Sequence, residues 1–158
     1  MHSAMQRVIV RSDAITQFAG ACGANNAIGE NMIWPGGTRA RGLLREINIR
    51  SMQNIGWQIQ LYGDAAMDAP GVVPGDSFQI GHTFQAADGE RNGGAGPWRY
   101  SYSFPSPPLY DQTDVDAPQT PGTKKVGFVH LMLANRAGPA KVAGAGGYVE
   151  VELNFEAP

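Results

Sequence analysis

Histidines and carboxylates are the residues of this chain whose types could do chemistry. His82 and His130 each stand where a strand face is otherwise apolar, and His2 is next to the first residue. Imidazole binds zinc or copper well, but a site needs a third imidazole or a carboxylate beside the pair. The sequence places none there, so both read as hydrogen-bonded histidines of a core or an interface. Asp111, Asp114 and Asp116 form one acidic loop, and Asp64, Asp68 and Asp76 another. Either could offer oxygens to calcium, yet neither has the spacing of a calcium loop. Solvated turn residues are the economical reading. Glu150 and Glu152 share one face of a strand, and paired carboxylates can hydrolyse glycosidic bonds. On the wet face of a last strand they are expected to be solvated.

Other chemistry is excluded more directly. Cys22 is the single cysteine, which rules out an intrachain disulfide and a cysteine-based zinc site. It reads as a small buried hydrophobe, with only Ala21 and Gly23 beside it. There is no Gly-x-Ser-x-Gly elbow, phosphate loop or His-Glu-x-x-His. Gly144-Ala145-Gly146-Gly147 precedes a strand rather than a helix, so it cannot cradle phosphate at a helix N-terminus. Trp34, Trp98, Tyr100, Tyr102 and Tyr110 could stack on a sugar, but the Trp98 to Phe104 set reads better as core. The expectation is a protein with no catalytic, cofactor-binding or metal-ligating residues: not an enzyme, and without cofactor.

The elements that would carry these residues are strands. Val149, Val151, Leu153 and Phe155 alternate with Tyr148, Glu150, Glu152 and Asn154, the period-two pattern of a strand with one dry face. Residues 6–13 form a first strand with Val8 and Val10 on one face. Residues 42–50 place Leu43, Ile47 and Ile49 opposite Glu46, Asn48 and Arg50. In residues 57–62, Trp57, Ile59 and Leu61 oppose Gln58, Gln60 and Tyr62, and this pair of runs reads as a hairpin. Residues 77–84 turn Phe78, Ile80 and Phe84 inward, with His82 interrupting. Trp98, Tyr100, Tyr102 and Phe104 line another strand, stopped by Pro105-Ser106-Pro107-Pro108. Residues 124–134 are apolar on both faces, as a covered central strand should be.

Between the strands, residues 14–35 read as a long irregular excursion that opens with a possible helical turn at 14–18 and ends in the turn Trp34-Pro35-Gly36-Gly37. Residues 86–97 read as an exposed tip. The fold expected is all-β: one antiparallel sandwich domain over 1–158, jelly-roll or Greek-key, with seven or eight strands and little helix. Residues 1–7 are expected to form a flexible arm.

Composition bounds the partners. The 158 residues suit one domain, and charged residues are only 16%, against about 25% in typical soluble domains. A net charge of −2 argues against a nucleic-acid binder, which needs a basic stripe. Arg39, Arg41, Arg45 and Arg50 are the local basic concentration, and their alternation suits a strand's wet face. No apolar run approaches the ~20 residues that span a bilayer, and the first residues lack signal-peptide character. Synthesis in a cytoplasm, with no membrane partner, is the expectation.

The stretch RGLLREINIRSMQNIGWQIQLYG, residues 41–63, resembles the opening hairpin of β-sandwich proteins encoded among tailed-bacteriophage head genes. The segments GFVHLMLANR and GGYVEVELNFEAP resemble the closing strands of such proteins. The resemblance implies a capsid decoration (cement) protein on the outer capsid surface of the virion. Its implied partners are the major capsid protein and further copies of itself, a homotrimer above all, and its role would be capsid stabilisation. A carbohydrate-binding, lectin-like jelly-roll module and a tail or fibre component are the alternatives.

Overall fold

In a computed structural model the described residues are 5–12, 21–22, 27–36, 38–63, 78–113, 127–137, 141–142 and 149–158. They form strands β1 (Gln6–Arg11), β2 (Ala21–Cys22), β3 (Ala27–Ile33), β4 (Arg41–Ser51), β5 (Gly56–Tyr62) and β6 (Ile80–Phe84). β7 (Trp98–Ser103), β8 (Leu109–Asp111), β9 (Phe128–Ala137), β10 (Lys141–Val142) and β11 (Val149–Ala157) follow. Ala86–Asp88 makes a 3₁₀ turn, the one helical element among the described residues. The front sheet runs β1-β11-β4-β7, with β8 paired to the beginning of β4. The back sheet runs β3-β9-β5-β6, and β2 and β10 form a small separate ribbon. All these pairings are antiparallel.

The two sheets pack face to face as an all-β sandwich, and their alternating inward residues make one core. Val10, Leu44, Ile47, Ile49, Tyr100, Val151, Leu153 and Phe155 come from the front sheet. Ile59, Leu61, Phe84, Val129, Leu131 and Leu133 come from the back. Fully burying each such side chain stabilises the fold by roughly 1.5–3 kcal/mol. The alternation expected of β11 is present at Val149, Val151, Leu153 and Phe155, which are buried while Glu150, Glu152 and Glu156 are not, but Asn154, expected on the wet face, is buried too. β9 is buried on both faces, since His130, Met132 and Ala134 are as inaccessible as Val129, Leu131 and Leu133. β7 stops at Ser103, before the proline run.

Several expectations are corrected. Residues 42–62 are not a hairpin, because β4 lies in the front sheet and β5 in the back. Residues 52–55 carry the chain across the sandwich: Ile55 is buried, and the Ser51 hydroxyl both accepts from the Gln53 N–H and reaches the Gln53 carbonyl. Each strand is central in its own sheet and has two neighbours there, so neither has an edge left for the other. Leu44, not Leu43, faces the core. The register steps from Asn154↔Glu46 to Phe155↔Leu44, so Arg45 is one extra residue in β4 and reverses the alternation beyond it. Phe78 is exposed and lies outside β6, its ring packed over Gly81.

The expected irregular excursion at 14–35 contains β2 and the seven residues of β3. Gln6 and Arg7 of the expected arm are already paired in β1, opposite Ala157 and Glu156. The turn after β3 is as expected: Gly36 has φ +89°, which glycine adopts without penalty after the proline of Trp34-Pro35-Gly36. The helical turn at 14–18, Tyr148, Gly144 to Gly147 and residues 124–126 lie outside the described residues.

Candidate interaction face

The outward side chains of the front sheet form a lattice of polar residues in which three arginine–carboxylate pairs are made between neighbouring strands. β11 supplies Glu150, Glu152, Asn154 and Glu156; β1 supplies Arg7 and Arg11; β4 supplies Glu46, Asn48 and Arg50; β7 supplies Arg99, Ser101 and Ser103. Cross-strand register sets the partners. Arg11 Nε donates to Glu152 Oε2 at 2.8 Å, and an Arg7 guanidinium nitrogen to Asn154 Oδ1 at 3.0 Å. Arg45, thrown outward by the bulge, pairs with Glu156 at 2.7 Å. Arg50 approaches Glu150 at 3.8 Å. On the β7 side the Ser101 hydroxyl reaches Asn48 Oδ1 at 2.6 Å and the Ser103 hydroxyl reaches Glu46 Oε2 at 3.2 Å. Two shallow depressions of about 360 and 370 Å³ lie over this lattice, one around Arg11, Asn48, Arg50 and Glu152, the other around Arg7, Arg45, Asn154 and Glu156.

The Glu152 carboxylate is tuned toward charge rather than toward acid catalysis. The hydrogen bond from Arg11 holds the Glu152 carboxyl below its usual range; burial opposes this, and Asn154, the Arg11 charge and Asn48 add to the lowering. A general acid beside a glycosidic bond needs the opposite shift. Glu150 and Glu152 form ion pairs with Arg50 and Arg11 on neighbouring strands. Asp111 is likewise engaged, bridged by Arg39 at 2.8 Å and Arg41 at 3.6 Å. The four arginines expected to be a wet strand face all meet carboxylates. Arg39 does so from outside β4, and its Nε also donates to the Gln112 carbonyl at 2.9 Å.

The histidines sit in different surroundings. His130 is fully buried on the back sheet; its Nδ1 lies 2.8 Å from Asn31 Oδ1 and its N–H donates to the Tyr110 hydroxyl at 3.1 Å. His82 stacks on Tyr102 with centroids 3.8 Å apart and meets Phe84 edge-on at 4.5 Å. Since β6 and β7 belong to different sheets, this stack closes one flank of the sandwich. Burial among the rings pushes the His82 pKa down from 6.5, with Asp88 partly opposing it. Among the described residues no three His, Cys, Asp or Glu side chains are grouped to hold a metal, and no helix is long and apolar enough to cross a membrane. His2, Asp64, Asp68, Asp76, Asp114 and Asp116 lie outside the described residues.

The aromatic residues considered for sugar stacking are mostly interior. Tyr100 and Tyr110 are fully buried, and Trp34 is nearly so, its ring edge-on to Phe155 at 5.2 Å. The Tyr100 hydroxyl reaches Asn54 Oδ1 at 2.6 Å and the Ile55 carbonyl at 3.1 Å, and burial raises its pKa to about 12. Trp98 is half-buried beneath the Arg91 guanidinium, 5.4 Å from its ring centroid.

Gln112 is the residue that sequence reasoning missed. It is fully buried, and its side-chain oxygen accepts from the backbone N–H groups of Ala40 (3.2 Å), Gly127 (3.1 Å) and Phe128 (3.4 Å). Those bonds tie the approach to β4 and the start of β9 to the end of β8. No periodicity marks such a residue, which follows a three-residue strand in a loop-like stretch.

No protein family, curated protein or solved structure matches this chain.

Proposed function

We propose that this chain is a non-catalytic structural protein of a virus particle, similar to the capsid decoration (cement) proteins of tailed bacteriophages. In this reading it sits on the outer capsid surface, binds the major capsid protein and reinforces the head. The observation that carries the reading is the strand order. With the short β2, β8 and β10 set aside, β1-β11-β4-β7 facing β3-β9-β5-β6 is an order compatible with jelly-roll wiring. In it the first strand pairs with the last, and successive long strands alternate between sheets except at β5 and β6, which pair within the back sheet; viral capsid and lectin domains use jelly-roll architecture.

The front face supports the same reading. Glu150, Glu152 and Glu156 already face arginines, so covering them with another protein does not bury them as single charges, the costly outcome at interfaces. The carbohydrate-binding alternative loses three of its five stacking rings, Trp34, Tyr100 and Tyr110, to the core.

Sedimenting the purified chain with expanded empty heads of its cognate major capsid protein tests the proposal. Saturable binding and a higher rupture temperature for the decorated heads are expected. Failure to co-sediment at micromolar concentration overturns it, and selective binding on a glycan array would favour the lectin class.

A further inference from the structure

The two flanks of the sandwich are built differently. On the β6/β7 flank, Arg99 of β7 exchanges both backbone bonds with Glu90 at 2.8 Å, and the His82–Tyr102 stack seals the gap between sheets. On the other flank β1 lies against β3, and among the described residues nothing pairs with the outer edge of either. An unpaired strand edge is a template for another strand.

Backbone directions show which groups are open. Ser12 N–H donates to the Val151 carbonyl, so the N–H groups of Arg7, Ile9 and Arg11 point away from β11. Trp34 N–H donates to the Gly127 carbonyl, so those of Asn31 and Ile33 point away from β9. Among the described residues the usual protections are missing here. Arg7 and Arg11, which could blunt the edge, are drawn back onto Asn154 and Glu152. Between them β1 is apolar on both faces, with Val8 and Val10 inward and a half-buried Ile9 outward. Ile33 is 72% exposed, the most of any large hydrophobic residue among those described.

We propose that this flank is the interface with a second copy of the chain, joined about a two-fold axis parallel to the strands. β1 runs with β4, and β3 runs with β5, while the link at 52–55 reverses the chain between β4 and β5. β1 and β3 therefore run in opposite directions. A two-fold rotation about the strand direction exchanges front and back layers, so it lays β1 of each copy along β3 of the other. Both contacts are then antiparallel and identical, as an isologous dimer requires. Each layer continues as one eight-stranded sheet, and Ile9 and Ile33 each gain a neighbouring strand.

Light scattering on the eluting protein reads the mass directly: two chains of 16.8 kDa are expected at tens of micromolar. Ile9→Pro and Ile33→Pro remove N–H groups that the chain's own ladders do not use, and proline is tolerated at such edges. Each should leave the circular dichroism unchanged and reduce the mass to one chain. On the unaltered protein, the amides of residues 7, 9, 11, 31 and 33 should exchange with deuterium more slowly as concentration rises. A one-chain or three-chain mass, a two-chain mass that survives both substitutions, or exchange independent of concentration would each overturn the proposal. The exchange measurement decides the matter even if a proline variant fails to fold, and none of these outcomes depends on capsid binding.

Discussion

Two residues concentrate more of the molecule's physical chemistry than their types advertise. Gln112 places one carbonyl oxygen before three backbone donors in a site with no solvent. Leucine of similar size leaves those donors unpaired, and a buried donor without a partner costs about 1–3 kcal/mol. Gln112→Leu should therefore lower the urea-unfolding free energy by at least that amount, with an unchanged m-value. A variant as stable as the parent would show that the three bonds contribute nothing net. His82 gives a pH dependence instead. Its folded pKa lies below 6.5, so the unfolded chain binds the proton more readily in the window just under 6.5. The stability due to neutral His82 is complete above that window and is lost as pH falls through the folded value. His82→Phe should flatten the stability profile there. The acid loss due to Glu152, which sets in only below its ordinary 4.5, should remain. Urea melts at half-unit pH steps separate the two.

At the scale of elements, the bulge in β4 decides which leucine is core. Leu44→Ala should cost about 2–5 kcal/mol, the usual range for emptying a buried leucine site. Leu43→Ala should cost far less, because Leu43 is only half-buried beside the exposed Leu109. Equal losses in thermal unfolding would refute the register. The same strand shows what was legible in the chain. Period-two alternation reports which face is dry, so β7, β9 and β11 could be read directly. One extra residue leaves no mark in composition, so the reading was right at Ile47 and Ile49 and wrong at Leu43. The supposed hairpin failed for a related reason. A short polar link followed by a second alternating run suits both a turn within one sheet and a crossing between two. What decides is how many neighbours each strand already has, which is a property of distant segments. The wet face was legible from Glu150, Glu152 and the arginines. Their pairings were not, because Arg11 and Glu152 are 141 positions apart.

For the whole molecule, the pairing of β1 with β11 means that the first and last strands must meet before either is rewarded. Contacts this distant in sequence slow folding, since loop closure precedes the gain. A circular permutant makes the pair local. Joining residue 158 to residue 5 by a short glycine-serine linker, and opening the chain between Gly93 and Gly94, leaves every ladder intact. Those two glycines are exposed, and neither would crowd an added Cβ. Refolding followed by stopped-flow fluorescence should then be faster than in the parent, with similar equilibrium stability. A slower or unchanged rate would place the β1–β11 contact outside the rate-limiting step.

The adjacency of Gln6 and Ala157 also determines how the molecule answers a mechanical load. Tension applied through residues 5 and 158 acts across the β1–β11 ladder at one end and perpendicular to the strands, so the ladder bonds break one after another. A load carried between residue 5 and the opposite end of the front sheet, near Ser51, must instead shear many bonds at once. The sandwich is therefore weak when peeled by its two ends and strong when stretched along its strands.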